Sequence, residues 1–106
     1  MEAHISQARQ RLAQIDAAAT RWEFLERTAA QRGWPERFVI ALEQSLTGGA
    51  DRATYSAQAD VSPTTASIDL RRLVDSGLVQ PRGRGRTVRY VASDPLRTSV
   101  ARETGN

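Results

Sequence analysis

The first 31 positions carry apolar and small residues at alternating spacings of three and four, which is the repeat of one helix face. The members of this stripe are Ile5, Ala8, Leu12, Ile15, Ala19, Trp22 and Ala29. Glu26 interrupts the stripe, and Leu25 beside it can continue the apolar surface. Because residues 3–31 contain neither glycine nor proline and are rich in strong helix formers, the pattern predicts one long helix.

An apolar stripe on so long a helix needs a surface to pack against. It either pairs with the same helix of a second copy or packs back on its own domain. We favour pairing, because the rest of the chain looks too small to cover a helix of about 40 Å. The residues that we assign to dimerisation are Ile5, Leu12, Ile15, Trp22 and Leu25.

Shorter helices are predicted after Gly33, which ends the long helix. One spans residues 35–46, with Pro35 in the tolerated first-turn position. Its inward-facing side chains are Phe38, Val39, Leu42 and Leu46. The next spans residues 52–59, and Asp51 before it is a plausible N-cap.

The following helix has the clearest start signal. Ser62 is a strong N-cap, Pro63 fits the first helical position, and the helix is predicted to run from 63 to about 75. Gly77 lies just past its end, and Asp60 occupies the turn before it, where Asp tolerates a left-handed backbone. Its core-facing side chains are Thr65, Ala66, Leu70, Leu73 and Val74.

The hydrophobic period changes after this helix. Residues 78–80 and 87–91 (Leu-Val-Gln and Thr-Val-Arg-Tyr-Val) read as two short strands, joined by a basic, glycine-rich loop at 81–86. Asp94-Pro95 stops the second strand, and residues 98–106 read as a flexible tail. The predicted fold is therefore mainly α with a small β-hairpin.

The charge distribution changes this picture more than the net charge of +3 does. All fifteen basic residues are arginines. Residues 62–97 hold seven of them against three acids, whereas residues 1–61 hold seven against eight acids and the last nine residues sum to zero. The excess of positive charge thus belongs to one C-terminal segment, which indicates a polyanionic partner.

The segment from Tyr55 to Val79 (YSAQADVSPTTASIDLRRLVDSGLV) resembles the helix-turn-helix core of DeoR-type repressors. Together with the wing Gly83–Tyr90 (GRGRTVRY) it is also similar to the C-terminal winged helix of many Fic-family proteins. The resemblance covers roughly residues 35–92. It implies a winged helix-turn-helix fold. We divide the chain into a dimerisation helix (1–33), a winged helix-turn-helix domain (34–97) and the tail (98–106).

In such a domain the capped helix enters the major groove of DNA, and its outward side chains reach base edges. Arg71 can donate two hydrogen bonds to guanine, and Ile68 can contact a thymine methyl group. Arg89 on the second strand either contacts DNA or pairs with Asp69 or Asp75, two acids that we interpret as surface charges or partners of Arg72. The predicted DNA-binding residues are Thr54, Ser62, Pro63, Thr64, Ser67, Ile68, Arg71, Arg72, Arg82, Arg84, Arg86 and Arg89.

These observations predict a sequence-specific, dimeric double-stranded DNA-binding protein, most simply a transcriptional repressor that occupies an operator. The alternative is a winged helix that serves as a protein-interaction adapter, for example for a toxin or an enzyme. The sequence has no cysteine, no apolar run of membrane-spanning length and no signal-peptide pattern at its start, which fits a cytoplasmic protein.

Catalytic chemistry is not expected. His4 is the only histidine and has no metal-ligating neighbours in sequence, so we predict no metal site and no cofactor. Motifs for phosphate loops, nucleophile elbows and zinc proteases are absent, as is the Fic catalytic motif. Trp22 and Trp34 are interpreted as packing residues rather than as a small-molecule pocket.

Overall fold

The computed structural model describes the backbone from residue 2 to 105 and the side chains from residue 17 to 105, apart from Arg86. It is mainly helical with one antiparallel hairpin, which confirms the predicted fold class. In chain order the elements are α1 (Glu2–Gln31), α2 (Phe38–Leu46), α3 (Arg52–Ala59), α4 (Pro63–Asp75), β1 (Val79–Arg82), β2 (Arg89–Ala92) and α5 (Asp94–Glu103).

All five helices and both strands contribute to one hydrophobic core. Its largest fully buried members are Leu25, Phe38, Leu42, Tyr55, Leu70, Leu73 and Leu96. Burial of these side chains removes apolar surface from water and is the main source of stability for the fold. The core lies behind α4, so its packing fixes which side of that helix faces outward.

The long helix contributes its C-terminal half to this core. Leu25 is 0% exposed and Ala29 is also buried in the chain's own core. Leu25 therefore offers no surface to a second copy, and we remove it from the predicted dimerisation set. A bidentate pair between Arg21 and Glu43 ties α1 to α2, with Nε to Oε2 at 2.8 Å.

The second helix begins three residues later than predicted. Pro35 lies in a turn, because the first backbone bonds, such as Phe38 N–H to Pro35 O at 3.0 Å, span only three residues. The helix proper starts at Phe38, and Arg37 occupies the N-cap position without a capping hydrogen bond from its side chain. The Arg37 guanidinium carries only donors and cannot cap the helix; it donates to Asp69 instead.

The helix–turn–helix predictions are confirmed in detail. Asp51 accepts a hydrogen bond from the backbone N–H of Thr54 at 2.8 Å, which caps α3. Ser62 accepts one from Thr65 at 3.1 Å, which caps α4. Asp60 ends α3 in a left-handed conformation with φ 55° and ψ 50°. These local bonds set the sharp turn between the two helices.

The hairpin is longer on its first strand than predicted, since β1 extends to Arg82. Pro81 pairs with Tyr90 in the antiparallel register. On its other side Tyr90 exchanges two backbone hydrogen bonds of 2.7 Å with Ala50, so its N–H and C=O point away from Pro81. A proline without an N–H is therefore tolerated there. The Ala50 bridge also joins the hairpin to the segment before α3.

The predicted flexible tail requires correction. Residues 94–103 form α5, which packs against α1. Leu96 and Val100, four residues apart, are both buried on one face of this helix. Pro95 fits the first turn of this helix, as Pro63 does in α4. The stop signal at Asp94-Pro95 is thus also a helix start.

Candidate nucleic-acid interface

One side of α4 faces solvent and carries the predicted base-contacting residues. Ala66, Leu70 and Leu73 face the core, and the opposite side is uncovered in the chain. Its exposed residues are Pro63, Thr64, Ser67, Ile68, Arg71 and Asp75. The helix therefore presents an exposed side, and a helix with a diameter of about 10–12 Å fits a major groove about 12 Å wide.

Asp69 connects the core-facing side of α4 to the rest of the fold. Its side chain is 2% exposed and lies on the core face, not on the surface as expected from the sequence. Arg37 donates to it through two nitrogens, at 2.6 Å to Oδ2 and 3.0 Å to Oδ1. The hydroxyl of Tyr55 donates to Oδ2 at 2.7 Å. The carboxylate thus links the start of α2, α3 and α4. Its ion pair is with Arg37 and not with Arg89 or Arg72, and Arg72 acts on it only through its charge.

This cluster shifts the ionisation of its members. Burial raises the pKa of Asp69, but the hydrogen bonds from Arg37 and Tyr55 outweigh it and leave that pKa below its ordinary value. Burial and the hydrogen bond to Asp69 raise the pKa of the Tyr55 hydroxyl. The hydrogen bond to Asp69 also raises the pKa of Arg37. At neutral pH the cluster therefore consists of a carboxylate, a guanidinium and a neutral phenol.

A groove of about 770 Å³ separates the start of α3 and the outward side of α4 from the hairpin. Its lining residues are Asp51, Arg52, Ala53, Ser67, Gly85, Thr87, Val88, Arg89 and Tyr90. The groove brings together residues that lie more than thirty positions apart in sequence, with arginines on both sides. Arg52 is the residue here that the sequence analysis missed, although its place directly after the N-cap Asp51 was visible.

The arginine on the hairpin wall is held by weak local contacts. Arg89 donates to the backbone oxygen of Gly48 at 3.4 Å, and its side chain is exposed. The pKa of Asp51 is lowered, first by its hydrogen bonds from Thr54 and less by the charge of Arg89. The Thr54 hydroxyl donates to Asp51 at 2.9 Å, so that hydroxyl is engaged in capping. Arg89 remains accessible from the groove.

The tip of the hairpin has a tight, glycine-dependent shape. Gly83 has a φ of +90°, and a Cβ there would lie 3.1 Å from the backbone oxygen of Thr87. A short 3-10 turn, Gly85–Thr87, closes the loop. Arg82 and Arg84 are exposed. The side chain of Arg86 lies outside the described residues.

The remaining predicted residues are Arg72 on α4 and the dimerisation residues of α1. Arg72 is exposed but its guanidinium lies 5.2 Å from the centre of the Phe38 ring, a cation–π distance that ties it to the rim of the core. Trp22 is 39% exposed on α1. The predicted dimerisation residues Ile5, Leu12 and Ile15 lie outside the residues whose side chains are described.

A second cavity of about 340 Å³ lies between α1 and the start of α2. Its lining residues are Glu26, Ala29, Ala30, Trp34, Glu36 and Val39. Trp34 packs on Phe38 with 5.4 Å between ring centres, as predicted for a packing residue, while Trp22 does not line this cavity.

Among the described residues, no cluster of three or more potential metal ligands is found, and no helix is both long and apolar enough to cross a membrane.

Comparison with known proteins supports the fold. No protein-family model and no curated protein sequence matches the chain. Solved structures do: a multiple antibiotic-resistance repressor (MarR) from Listeria monocytogenes has 16% identity and a TM-score of 0.58, over 99% of this chain and 72% of that one. A MarR family protein from Bacillus stearothermophilus has 18% identity and a TM-score of 0.56, over 96% and 72%.

A MarR family transcriptional regulator from Streptomyces coelicolor has 20% identity and a TM-score of 0.53, over 94% of this chain and 73% of its own. At these identities the similarity establishes the winged-helix fold and nothing further. The aligned region includes almost the whole chain. The sequence resemblance to DeoR-type and Fic-family winged helices stays a prediction.

Proposed function

We propose that the chain is a sequence-specific double-stranded DNA-binding protein that acts as a homodimer and represses transcription by occupying an operator. In this proposal α4 lies in the major groove, and the basic hairpin contacts phosphates or the adjacent minor groove. The solved structures with the same fold include proteins named as a repressor and as a transcriptional regulator. That similarity supports the functional class but not the individual contacts.

The observation that carries the proposal is the groove between α4 and the hairpin. Ser67 on the outward side of α4 and Arg89 on the hairpin line the same concave surface, with Arg52 at its edge. A nucleic acid seated on α4 would therefore meet arginines on both flanks. Arginine suits this position because its planar guanidinium donates paired hydrogen bonds to phosphate or guanine.

The distribution of charged residues also supports DNA binding at this groove. Residues 62–97 contain three acids, but Asp69 is buried and paired with Arg37. In sequence this leaves Asp75 and Asp94 against seven arginines, while Asp51, from outside the segment, adds one carboxylate to the groove lining. If the four arginines at 82, 84, 86 and 89 each neutralise a phosphate in both protomers, the logarithm of affinity should fall with the logarithm of salt at a slope of about −7.

Dimerisation is proposed through α1. Trp22 is a large apolar side chain left partly in water on this helix, and the stripe predicted from the sequence continues from it towards the N-terminus through Ile15, Leu12 and Ile5. Two copies related by a two-fold axis would present two α4 helices to a palindrome whose half-sites lie about one helical turn apart.

A mobility-shift titration with a random 30-base-pair duplex at low salt tests DNA binding, with Arg89→Ala compared against Arg102→Ala. Both replacements remove one exposed arginine, but Arg102 lies on α5, outside the groove. We expect the wild-type chain and Arg102→Ala to shift the duplex alike and Arg89→Ala to bind several-fold more weakly. No shift at micromolar wild-type protein would refute the proposal and favour the protein-interaction adapter.

A further inference from the structure

The outward side of α4 carries an apolar side chain in an otherwise polar and basic surface. Ile68 is 56% exposed, and in the described part of the chain only Trp22 is another exposed large hydrophobic residue. Ile68 makes no contribution to the core, and a branched side chain has a lower helix propensity than alanine at an exposed position. Neither packing nor local helix stability accounts for isoleucine here.

The neighbours of Ile68 define what such a surface can bind. Thr64 lies one turn before it and Arg71 almost one turn after it, and both are exposed. Because its neighbours are polar, Ile68 does not form the broad apolar patch that a protein-docking surface requires. A small apolar group surrounded by polar groups is the complementary partner.

The major groove of DNA presents such a group. The C5 methyl of thymine projects into it beside hydrogen-bonding atoms, and 5-methylcytosine places a methyl at the same position of the pyrimidine ring. Ile68 and Arg71 are separated by about 4.5 Å along the helix axis, close to the base-pair rise of about 3.4 Å. The two side chains can therefore contact neighbouring base pairs.

The C-terminal end of α4 is unsuited to contact with DNA. Asp75 lies on the same side as Ile68 and Arg71, seven and four residues on, and is exposed. A carboxylate is repelled by phosphates, so contacts to bases are confined to the first part of the helix. Asp69, held by Arg37 and Tyr55, fixes the rotation of α4 so that Ile68 stays on the outward side.

We propose that Ile68 is a reader of pyrimidine C5 methyl groups, so that the chain discriminates thymine from uracil and 5-methylcytosine from cytosine at one position of each half-site. This inference rests on the proposed DNA-binding function and deepens it. Its consequence is that cytosine methylation at that position strengthens binding. Burial of one methyl group corresponds to about a fourfold change in affinity.

The test begins with a duplex selected from a random 30-base-pair library by the wild-type chain at physiological salt. Each thymine is then replaced by uracil, one position at a time, and dissociation constants are measured by fluorescence anisotropy. At the position that responds, the four pyrimidines thymine, uracil, cytosine and 5-methylcytosine are compared, each with its complementary purine. The same series is measured with Ile68→Ala and Ile68→Val.

For the wild-type chain we expect the dissociation constant to be about fourfold lower with thymine than with uracil, and about fourfold lower with 5-methylcytosine than with cytosine. Ile68→Ala should bind both members of each pair alike, and Ile68→Val should keep most of the preference. Because Ile68 is exposed, we expect both variants to stay folded. Circular dichroism verifies that their helix content is unchanged. The comparison with Ile68→Ala also cancels any effect of the methyl group on duplex shape.

A wild-type chain that binds thymine and uracil duplexes equally, or an Ile68→Ala variant that keeps the full preference, would overturn this inference while leaving DNA binding intact. Failure to select any duplex would overturn the proposed function and the inference with it. Selection of a protein partner that is lost in Ile68→Ala, with no duplex bound, would identify this side of α4 as a protein-docking surface instead.

Discussion

Arg37 and Asp69 form a bidentate ion pair across thirty-two positions of sequence, with Nε to Oδ2 at 2.6 Å and a terminal nitrogen to Oδ1 at 3.0 Å. The pair connects the residue before α2 to the inward side of α4. Because α4 carries the proposed base contacts on its opposite side, the pair sets the orientation of the proposed DNA-binding surface from within the fold.

Replacing Asp69 by Asn should destabilise the chain by about 2 kcal/mol. Breaking a fully buried pair costs about 3–5 kcal/mol, but the Arg37 side chain is 34% exposed and can be hydrated when its partner is lost. Urea unfolding at pH 7 measures the loss. Asp75→Asn is the matched control, since it removes an exposed carboxylate from the same helix and should change stability by less than about 0.5 kcal/mol. Equal effects of the two would contradict the anchoring role.

The same pair predicts an acid dependence. The folded-state pKa of Asp69 is lower than the ordinary value of 3.8 that it takes when unfolded. Its contribution to stability is therefore fully present above that value and is lost as the pH falls through the folded-state pKa. The difference in free energy of unfolding between wild-type and Asp69→Asn should shrink below about pH 4. A difference that is constant down to pH 2 would show that the carboxylate charge is not responsible.

The position of Asp69 shows where reasoning from sequence fell short. Ala66, Asp69, Leu70 and Leu73 follow a helical spacing that includes Asp69 in the core face. The sequence analysis interpreted it as a surface charge or a partner of Arg72, and acids are rarely buried unless they are paired. Its partner Arg37 is remote in sequence, and Tyr55 lies on another helix, so only the tertiary fold brings the three together.

Local signals, in contrast, were sufficient for the helix–turn–helix. The N-caps at Asp51 and Ser62, and the left-handed Asp60, depend on residues within three or four positions of each other. For α5, Pro95 followed by the spaced pair Leu96 and Val100 carried the same kind of signal, but the short segment at the chain end was interpreted as a tail. The groove itself was predicted only in outline, because it joins α3, α4 and the hairpin.

Replacing Arg84 and Arg86 together by Ala should weaken binding to all DNA sequences about equally, because the hairpin is proposed to contact phosphates. Two fewer phosphate contacts per protomer reduce the salt slope of a dimer by about 3.6. Titrations between 50 and 200 mM salt with a selected and a scrambled duplex measure both effects. A large change in the preference between the two duplexes would instead show that the hairpin reads bases.

Removing residues 1–16 should convert the proposed dimer to a monomer, since Ile5, Leu12 and Ile15 are lost while Leu25 and Ala29 remain in the core. Light scattering at tens of micromolar protein gives the mass. Unfolding of the truncated chain should stay cooperative, because the core residues of α1 are retained. Dimers that persist in the truncated chain would show that Ile5, Leu12 and Ile15 are not required, and would confine the interface to Trp22 or to another element.

The most direct test of the account maps α4 and the hairpin onto one duplex at the same time. The chain has no cysteine, so Ser67→Cys on α4, Thr87→Cys on the hairpin and Thr98→Cys on α5 can each carry a single iron–chelate cleavage reagent. All three positions are exposed. We expect cleavage from positions 67 and 87 within about half a helical turn of each other on a bound, selected duplex, and none from position 98. Strong cleavage from position 98, with none from 67 on a duplex that is demonstrably bound, would contradict the proposed interface.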